Sequence, residues 1–311
     1  MLFFAQQDPT TMQPRRFAQL DVFADHALQG NALAVVLDGE GLSDAAMLDF
    51  ARWTNLSETT FVLPPTAEGA AAGADYRLRI FTPAGELAFA GHPTLGSCQA
   101  WLNAGGRPRQ AQRVVQECAK GLVSIQRSPS ASSIDREGLE GLAFAAPPLQ
   151  RSEVPAGVQA QVLAALALKA NDLVAAQWLD NGSRWMGVLL RDTAVLPRAQ
   201  PNAAALRALG VKAGLCAIQT PSSGAMAAEP VLEVRGITLT AHGIAEDPAT
   251  GSLNASLAQW LSAAGHIALP YCVQQGAAIG RAGRMRLTAD AQGQIWVQGR
   301  VHSVVTGQVV L

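Results

Sequence analysis

Three residues stand out for the chemistry their settings allow. Glu58 lies in Asn55-Leu56-Ser57-Glu58-Thr59-Thr60-Phe61-Val62, between a helix end and an apolar strand. A carboxyl there is expected to be partly desolvated, which lifts its pKa toward neutrality and suits it to give and take protons. His92 stands in Gly91-His92-Pro93-Thr94-Leu95-Gly96-Ser97, and Asp247 in Glu246-Asp247-Pro248-Ala249-Thr250-Gly251-Ser252. Each of these two segments has a polar residue, then Pro-x-x-Gly-Ser, then an amphipathic helix. The open N–H groups of a helix's first turn, with the positive end of its dipole, attract an anion. Two such starts facing each other would hold a small carboxylate among donors from Gly91 to Gly96 and from Thr250 to Ser252. Pro93 and Thr94 fall inside the first stretch and Gly251 inside the second. His92 and Asp247, at matching positions, are expected to pair by a hydrogen bond that fixes the imidazole tautomer. Either segment alone would read as an ordinary helix start, with Asp247 an N-cap aspartate. Glu246 reads as a solvated first-turn charge.

The two segments belong to a longer repeat. Arg79 and Thr82 precede the first, Arg235 and Thr238 the second, and His92 and Asp247 are 155 positions apart, as are Gly121 and Gly276. Shared offsets of this kind point to an ancient duplication. The elements that must position the site follow from pattern. Alternation predicts a strand over 16–23, a Gly30-Asn31 turn and a return at 34–37. Ser43 caps a helix with Ala46, Met47, Phe50 and Ala51 on its apolar face. Strands follow at 59–63 and 76–81, a helix from about 93 to 103, and a hairpin over 113–118 and 122–127. A loop is expected at 128–133. Beyond it come strands near 140–146, 174–179 and 185–190, helices at 156–169 and 201–209, and strands at 214–219 and 231–240. A helix at about 248–264 and strands near 284–288, 294–300 and 303–310 close the chain. The pattern predicts an α+β fold of two pseudo-symmetric domains, each a mostly antiparallel sheet rolled around a central helix. The halves are placed at 15–130 and 131–311, with the last strand, about 303–311, packing back onto the first half and the active site at the seam.

Composition narrows the partners. The 311 residues are 49% hydrophobic and 15% charged, which supports a large core, and the net charge is -1. No basic surplus exists to neutralise a phosphate backbone, so nucleic acid is excluded as a partner. The four cysteines and five histidines show no metal-ligand spacing, so no metal is expected. Sparse cysteines fit a reducing cytoplasm. No run of about 18 apolar residues is present, so no membrane partner is expected. Residues 1–14 read as a ragged leader, with Met12 an alternative start. Gly276-x-x-x-Gly280-x-x-Gly283 lacks the β-α context of a nucleotide loop.

The motifs resemble those of the phenazine-biosynthesis PhzF-like family, within the diaminopimelate-epimerase-like fold. The resemblance runs from about Arg16 to Leu311. Its landmarks are Asp21-Val22-Phe23, Gly30-Asn31, Asn55-Leu56-Ser57-Glu58-Thr59, Phe81-Thr82-Pro83, Gly91-His92-Pro93-Thr94, the Glu246 to Ser252 segment, Gln275-Gly276 and Gly280-Arg281. It implies a cofactor-independent isomerase moving a proton on a small anionic metabolite, as in dihydro-3-hydroxyanthranilate isomerisation. It further implies Glu58 as acid/base, His92 and Asp247 in the cleft, Ser57 and Ser252 toward substrate, and a homodimer. Epimerases and racemases of this fold use two opposed thiols, which the helix-start segments lack, and Cys98 reads as a core residue. The alternatives are a racemase or epimerase without thiols and a non-catalytic metabolite-binding protein. Ala32 replaces a usual proline, and Gly236-Ile237-Thr238-Leu239-Thr240 lacks the family's aromatic-Ala-Pro stretch, which points to a different substrate.

Overall fold

The computed structural model describes residues 12–127, 141–219, 231–240 and 243–311. The loop expected at 128–133 lies outside them. Period-two patterning gives the first strand, Pro14–Val22, which turns Ala18, Leu20 and Val22 inward. It pairs antiparallel with Asn31–Val36, which runs parallel to Glu58–Leu63. That strand bonds antiparallel to Tyr76–Thr82, whose parallel neighbour is Arg113–Cys118. Gly121–Arg127 and Leu142–Ala145 follow, each antiparallel. The second half repeats this sequence of pairings. Leu173–Asp180 is antiparallel to Arg184–Leu190, which is parallel to Ala213–Gln219, itself antiparallel to Val231–Thr240. Tyr271–Gln275 joins in parallel, then Gly283–Ala289 and Ile295–Gly299 antiparallel. In each half a short arm, Gly85–Leu87 or Gly243–Asp247, folds back just before the central helix.

Taken past 130 to include Leu142–Ala145, which pairs with Gly121–Arg127, the first half exchanges outer strands with the second. Gln150–Glu153, not expected from its polar sequence, pairs with the second half's first strand. Val301–Val310 pairs with Pro14–Val22, the first strand of the first half. Leu142–Ala145 also bonds to Ile295–Gly299, so hydrogen bonding runs from one half into the other.

The α+β class expected from pattern is the fold found, with a 13-residue helix inside each half: Gly91–Asn103 and Gly251–Ala263. Both are almost wholly buried, and small residues let the strands close around them. At Gly96 a Cβ would lie 2.5 Å from Leu33 Cδ2 and 3.0 Å from Val22 Cγ2, so glycine lets these side chains close on the helix. On the outer face, Asp44–Thr54 packs Met47, Phe50 and Ala51 over Phe61 and Phe81. Ala156–Ala165 and Ala203–Leu209 cover the second half in the same way with Val162, Leu163 and Leu206.

The helix starts correct the repeat register. Gly91 and Gly251 are the equivalent first residues, 160 positions apart, not 155. His92 therefore corresponds to Ser252, and Asp247 lies four residues before its helix, at the end of strand Gly243–Asp247. Pro-x-x-Gly-Ser starts at different depths in the two halves and misleads as an alignment. The equivalence is visible in the polar core. Thr94 Oγ1 bonds to Ala90 O and accepts from Gln116 Nε2, while Asn254 Nδ2 bonds to Thr250 O and Gln275 Oε1.

Candidate active site

The two central helices meet at their N-termini. A Cβ on Gly91 would lie 2.9 Å from Gly251 Cα, so these two glycines are what allow the helix starts to touch. Phe23 and Phe144 pack against the same point and close it from the apolar side. Open N–H groups of two first turns thus converge on one seam.

Glu58 is delivered there by local geometry. Helix Asp44–Thr54 ends at Asn55 in the left-handed conformation (φ 53°, ψ 29°), which turns the chain into strand Glu58–Leu63. The strand runs parallel to Asn31–Val36 with Glu58 opposite Leu33. The Glu58 side chain is 16% exposed, and its Oε2 lies 3.4 Å from His92 Nε2. Among the described residues neither atom has a hydrogen-bond partner. Burial, reinforced by the Asp247 charge, pushes the Glu58 carboxyl up to about 8, against the nearby Ser57 hydroxyl and the pull of Lys212. Burial alone pushes His92 down to about 3. Near neutral pH both groups are uncharged, so their contact is a neutral facing pair and not an ion pair.

Asn31 is the hub. Its Nδ2 donates to Asp247 Oδ1 at 2.6 Å and to Ala249 O at 3.0 Å, and stands 3.3 Å from His92 Nδ1. Its Oδ1 accepts from Ser57 Oγ at 3.1 Å. An amide nitrogen only donates, so His92 Nδ1 is the acceptor and the ring proton sits on Nε2, toward Glu58. The direct His92–Asp247 bond expected from sequence is absent. Both side chains lean on Asn31 instead, because Asp247 ends a strand of the second half and His92 lies one residue inside its helix.

Asp247 Oδ2 accepts from Thr250 Oγ1 at 2.6 Å. Gln275 Nε2 donates to Thr250 Oγ1 and to Asp247 O, while its Oε1 accepts from Thr250 N. Burial lifts Asp247 to about 6, opposed by its bonds from Thr250 and Asn31 and by Lys212.

The structure thus brings Ser57, Glu58, Gly91, His92, Asp247, Thr250 and Gly251 together. Ser252, 7% exposed, lies in the first turn of its helix, where its carbonyl accepts from Asn181 Nδ2 at 2.8 Å. Pro93 brings no N–H to the first helix start. Thr94 is fully buried, and its hydroxyl is taken up by Ala90 and Gln116. The Thr250 N–H is likewise engaged by Gln275. Glu246 is not a solvated first-turn charge. It is 8% exposed and pairs with Arg235 at 2.7 Å, because its strand runs against the one carrying Arg235. Sequence reading missed Asn31 and Gln275 as site residues. Asn31 is a polar residue at the end of an otherwise apolar strand, and that misfit is the available signal; Gln275 follows Gln274 at its strand's end and carries no such signal.

The family model for phenazine biosynthesis-like proteins (PhzC-PhzF) matches residues 20–310. The chain is 33% identical over 287 residues to trans-2,3-dihydro-3-hydroxyanthranilate isomerase of Pseudomonas aeruginosa, covering 90% of this chain and 92% of that one. It is 49% identical to antisense-enhancing sequence 1 of Schizosaccharomyces pombe, but over 114 residues and 37% of each chain. Its fold superposes on a Pseudomonas aeruginosa protein described as a predicted epimerase with a TM-score of 0.75. That pair is 28% identical over 95% of this chain and 99% of the other. With these matches over nearly its whole length, the chain belongs to the phenazine biosynthesis-like family and is an isomerase.

Proposed function

We propose that the protein is a cofactor-independent isomerase that moves a proton on a small, carboxylate-bearing, unsaturated or cyclic metabolite. The observation that carries this reading is the Glu58 carboxyl, whose buried Oε2 has no hydrogen-bond partner among the described residues and which is raised to about 8. A carboxyl so poised takes a proton from carbon as the anion and returns it as the acid. In the forward direction the Glu58 carboxylate accepts a proton from one ring carbon, and the electron pair left behind shifts the double bond. Glu58 then protonates a second carbon on the same face, after the proton it carries has exchanged with solvent. His92, donating from Nε2, and Asp247, held by Asn31 and Thr250, orient the substrate, and the two helix starts hold its carboxylate.

The relative's substrate, trans-2,3-dihydro-3-hydroxyanthranilate, is the compound to test first. Turnover in deuterated water should leave solvent deuterium in the product, and Glu58→Gln should lower kcat by roughly 10²–10⁴-fold. Full activity in Glu58→Gln would refute the mechanism. A product of inverted configuration would favour a racemase or epimerase, and tight binding without turnover a metabolite-binding protein. The four cysteines are free thiols, which supports a cytoplasmic setting. No helix among the described residues is long and apolar enough to cross a membrane. The reading includes a homodimer and neither nucleic acid nor membrane as partner.

A further inference from the structure

Lys212 comes from the second half and has no part in the acid/base scheme. The internal symmetry locates it. Glu58 opens the third strand of the first half with Leu33 opposite, and Ala213 opens the matching strand of the second half with Met186 opposite. Lys212 therefore stands where Ser57 stands in the first half, one residue before the strand. Its Nζ donates to Ser183 Oγ at 2.6 Å and lies 4.8 Å from the centre of the Trp185 ring. Ser183 belongs to the turn that also carries Asn181, and Asn181 donates to the Ser252 carbonyl in the second helix start. That turn ties Lys212 to the point where the helices meet. From the first half, Lys120 approaches the same turn, its Nζ 3.7 Å from where a Cβ of Gly182 would sit.

Among the described residues no carboxylate lies within ion-pair distance of Lys212 Nζ. A half-buried ammonium served by one hydroxyl and one ring face is an incomplete site, because removal from water is repaid only by an anion close at hand. Asp247 has its oxygens engaged by Asn31 and Thr250, and Glu58 faces His92. We propose that Lys212 supplies the counter-charge to the substrate carboxylate held at the helix starts and sets the enzyme's preference for an anion, while Glu58 carries out the proton transfer. Electrostatics agrees with the placement: burial lowers Lys212 from the usual lysine value, while Glu58, Asp180 and Asp247 pull it back up. The assignment rests on the reading that the substrate is a small carboxylate.

The test compares 3-hydroxyanthranilate, the aromatic counterpart of the relative's substrate, with its uncharged 3-hydroxyanthranilamide. Each is titrated calorimetrically into wild type, Lys212→Met and Lys212→Arg, with folding checked by thermal melting. Wild type should prefer the acid. Lys212→Met should weaken acid binding at least about tenfold, as expected for loss of a charge-assisted bond, and leave amide binding within about twofold. Lys212→Arg should keep most of the acid preference. Acid binding that survives Lys212→Met, or equal loss of acid and amide in both variants, overturns the role of Lys212 alone. Wild type that binds neither probe overturns the carboxylate substrate class and this assignment with it. The role of Glu58 is judged separately, by deuterium incorporation.

Discussion

His92 Nε2 faces Glu58 Oε2 at 3.4 Å, and among the described residues neither atom has a hydrogen-bond partner, in a site sealed on the apolar side by Phe23 and Phe144. Two groups that would form an ion pair in water are held uncharged here, since burial moves one up and the other down. The proton that matters therefore sits on Glu58 near neutral pH. Removing a carbon-bound proton requires the Glu58 anion, whose population grows as pH approaches about 8. The rate constant kcat/KM should rise about tenfold per pH unit below that value and level off above it. A flat profile from pH 6 to 9 would show that Glu58 is not the base.

The same shift makes a stability prediction whose sign is fixed by proton counting. In the unfolded chain Glu58 titrates at about 4.3, and in the folded protein at about 8. Between these values the folded state holds a proton that the unfolded state has released, so stability falls as pH rises through the window. Glu58→Gln removes the penalty. Its melting temperature should exceed that of wild type by a margin that grows from pH 5 to pH 8. Calorimetric scans of both proteins across that range check it, and a constant margin would contradict the burial argument.

Asn31 joins the halves through a single amide, contacting His92 in one and Asp247 in the other. Asn31→Ala removes a donor that favours the Asp247 anion, so Asp247 should titrate above about 6. It also frees the imidazole to change tautomer. The expected result is a loss of roughly 10–100-fold in kcat, the order of an orienting contact one shell from the chemistry. The pH profile separates the two effects, since only the first shifts its acidic limb. Unchanged kcat in Asn31→Ala would remove the amide from the mechanism.

How much of this could be read from sequence depended on the distance each signal spans. Glu58 and His92 were legible because local pattern places them, one after a helix end and the other at a helix start. Their facing contact was not, because it depends on how the halves dock. The duplication was legible as a repeat but misaligned by five residues, since Pro-x-x-Gly-Ser begins at different depths in the two helices. The pairing of Arg235 with Glu246 was hidden for a related reason. Gly243–Asp247 is a short half-exposed strand with weak alternation, and its neighbour is fixed only by tertiary pairing. Lys212 carries no local signal at all. It is a single lysine before an apolar strand, and only the pseudo-symmetry, with its tertiary contacts to Ser183 and Trp185, connects it to the site.

At the Gly91–Gly251 contact, packing and function meet. A Cβ on Gly251 would lie 3.0 Å from Gly91 Cα and 3.1 Å from Phe23 Cε2, so the helix starts would have to separate. Gly251→Ala should cost about 1–3 kcal/mol, as overpacked cores do, and lower the melting temperature accordingly. Because it moves one helix start relative to the other, kcat should fall more than stability alone would explain. Comparing activity at a temperature where both proteins are fully folded isolates the second effect. Full activity there would mean that the spacing of the helix starts is not critical.

Glu246 supports the site from below. Arg235 donates to both Glu246 oxygens and, through Nη1, to the carbonyls of Leu196 and Ala199. The first half has a counterpart, Arg79, paired with Glu86 and Asp44. The two arginines are 156 positions apart, but Asp44 is 83% exposed whereas Glu246 is 8% exposed. An exposed pair contributes little, and breaking a buried one strands a charge. Glu246→Ala should therefore destabilise the protein by about 3–5 kcal/mol, while Asp44→Ala should cost under about 1 kcal/mol. Replacing both buried partners, Arg235→Met with Glu246→Leu, should recover part of the loss, since no uncompensated charge remains. Urea unfolding of the three variants measures this ordering. Equal costs for Glu246→Ala and Asp44→Ala would show that the Arg235 guanidinium finds water or another partner when its carboxylate is gone.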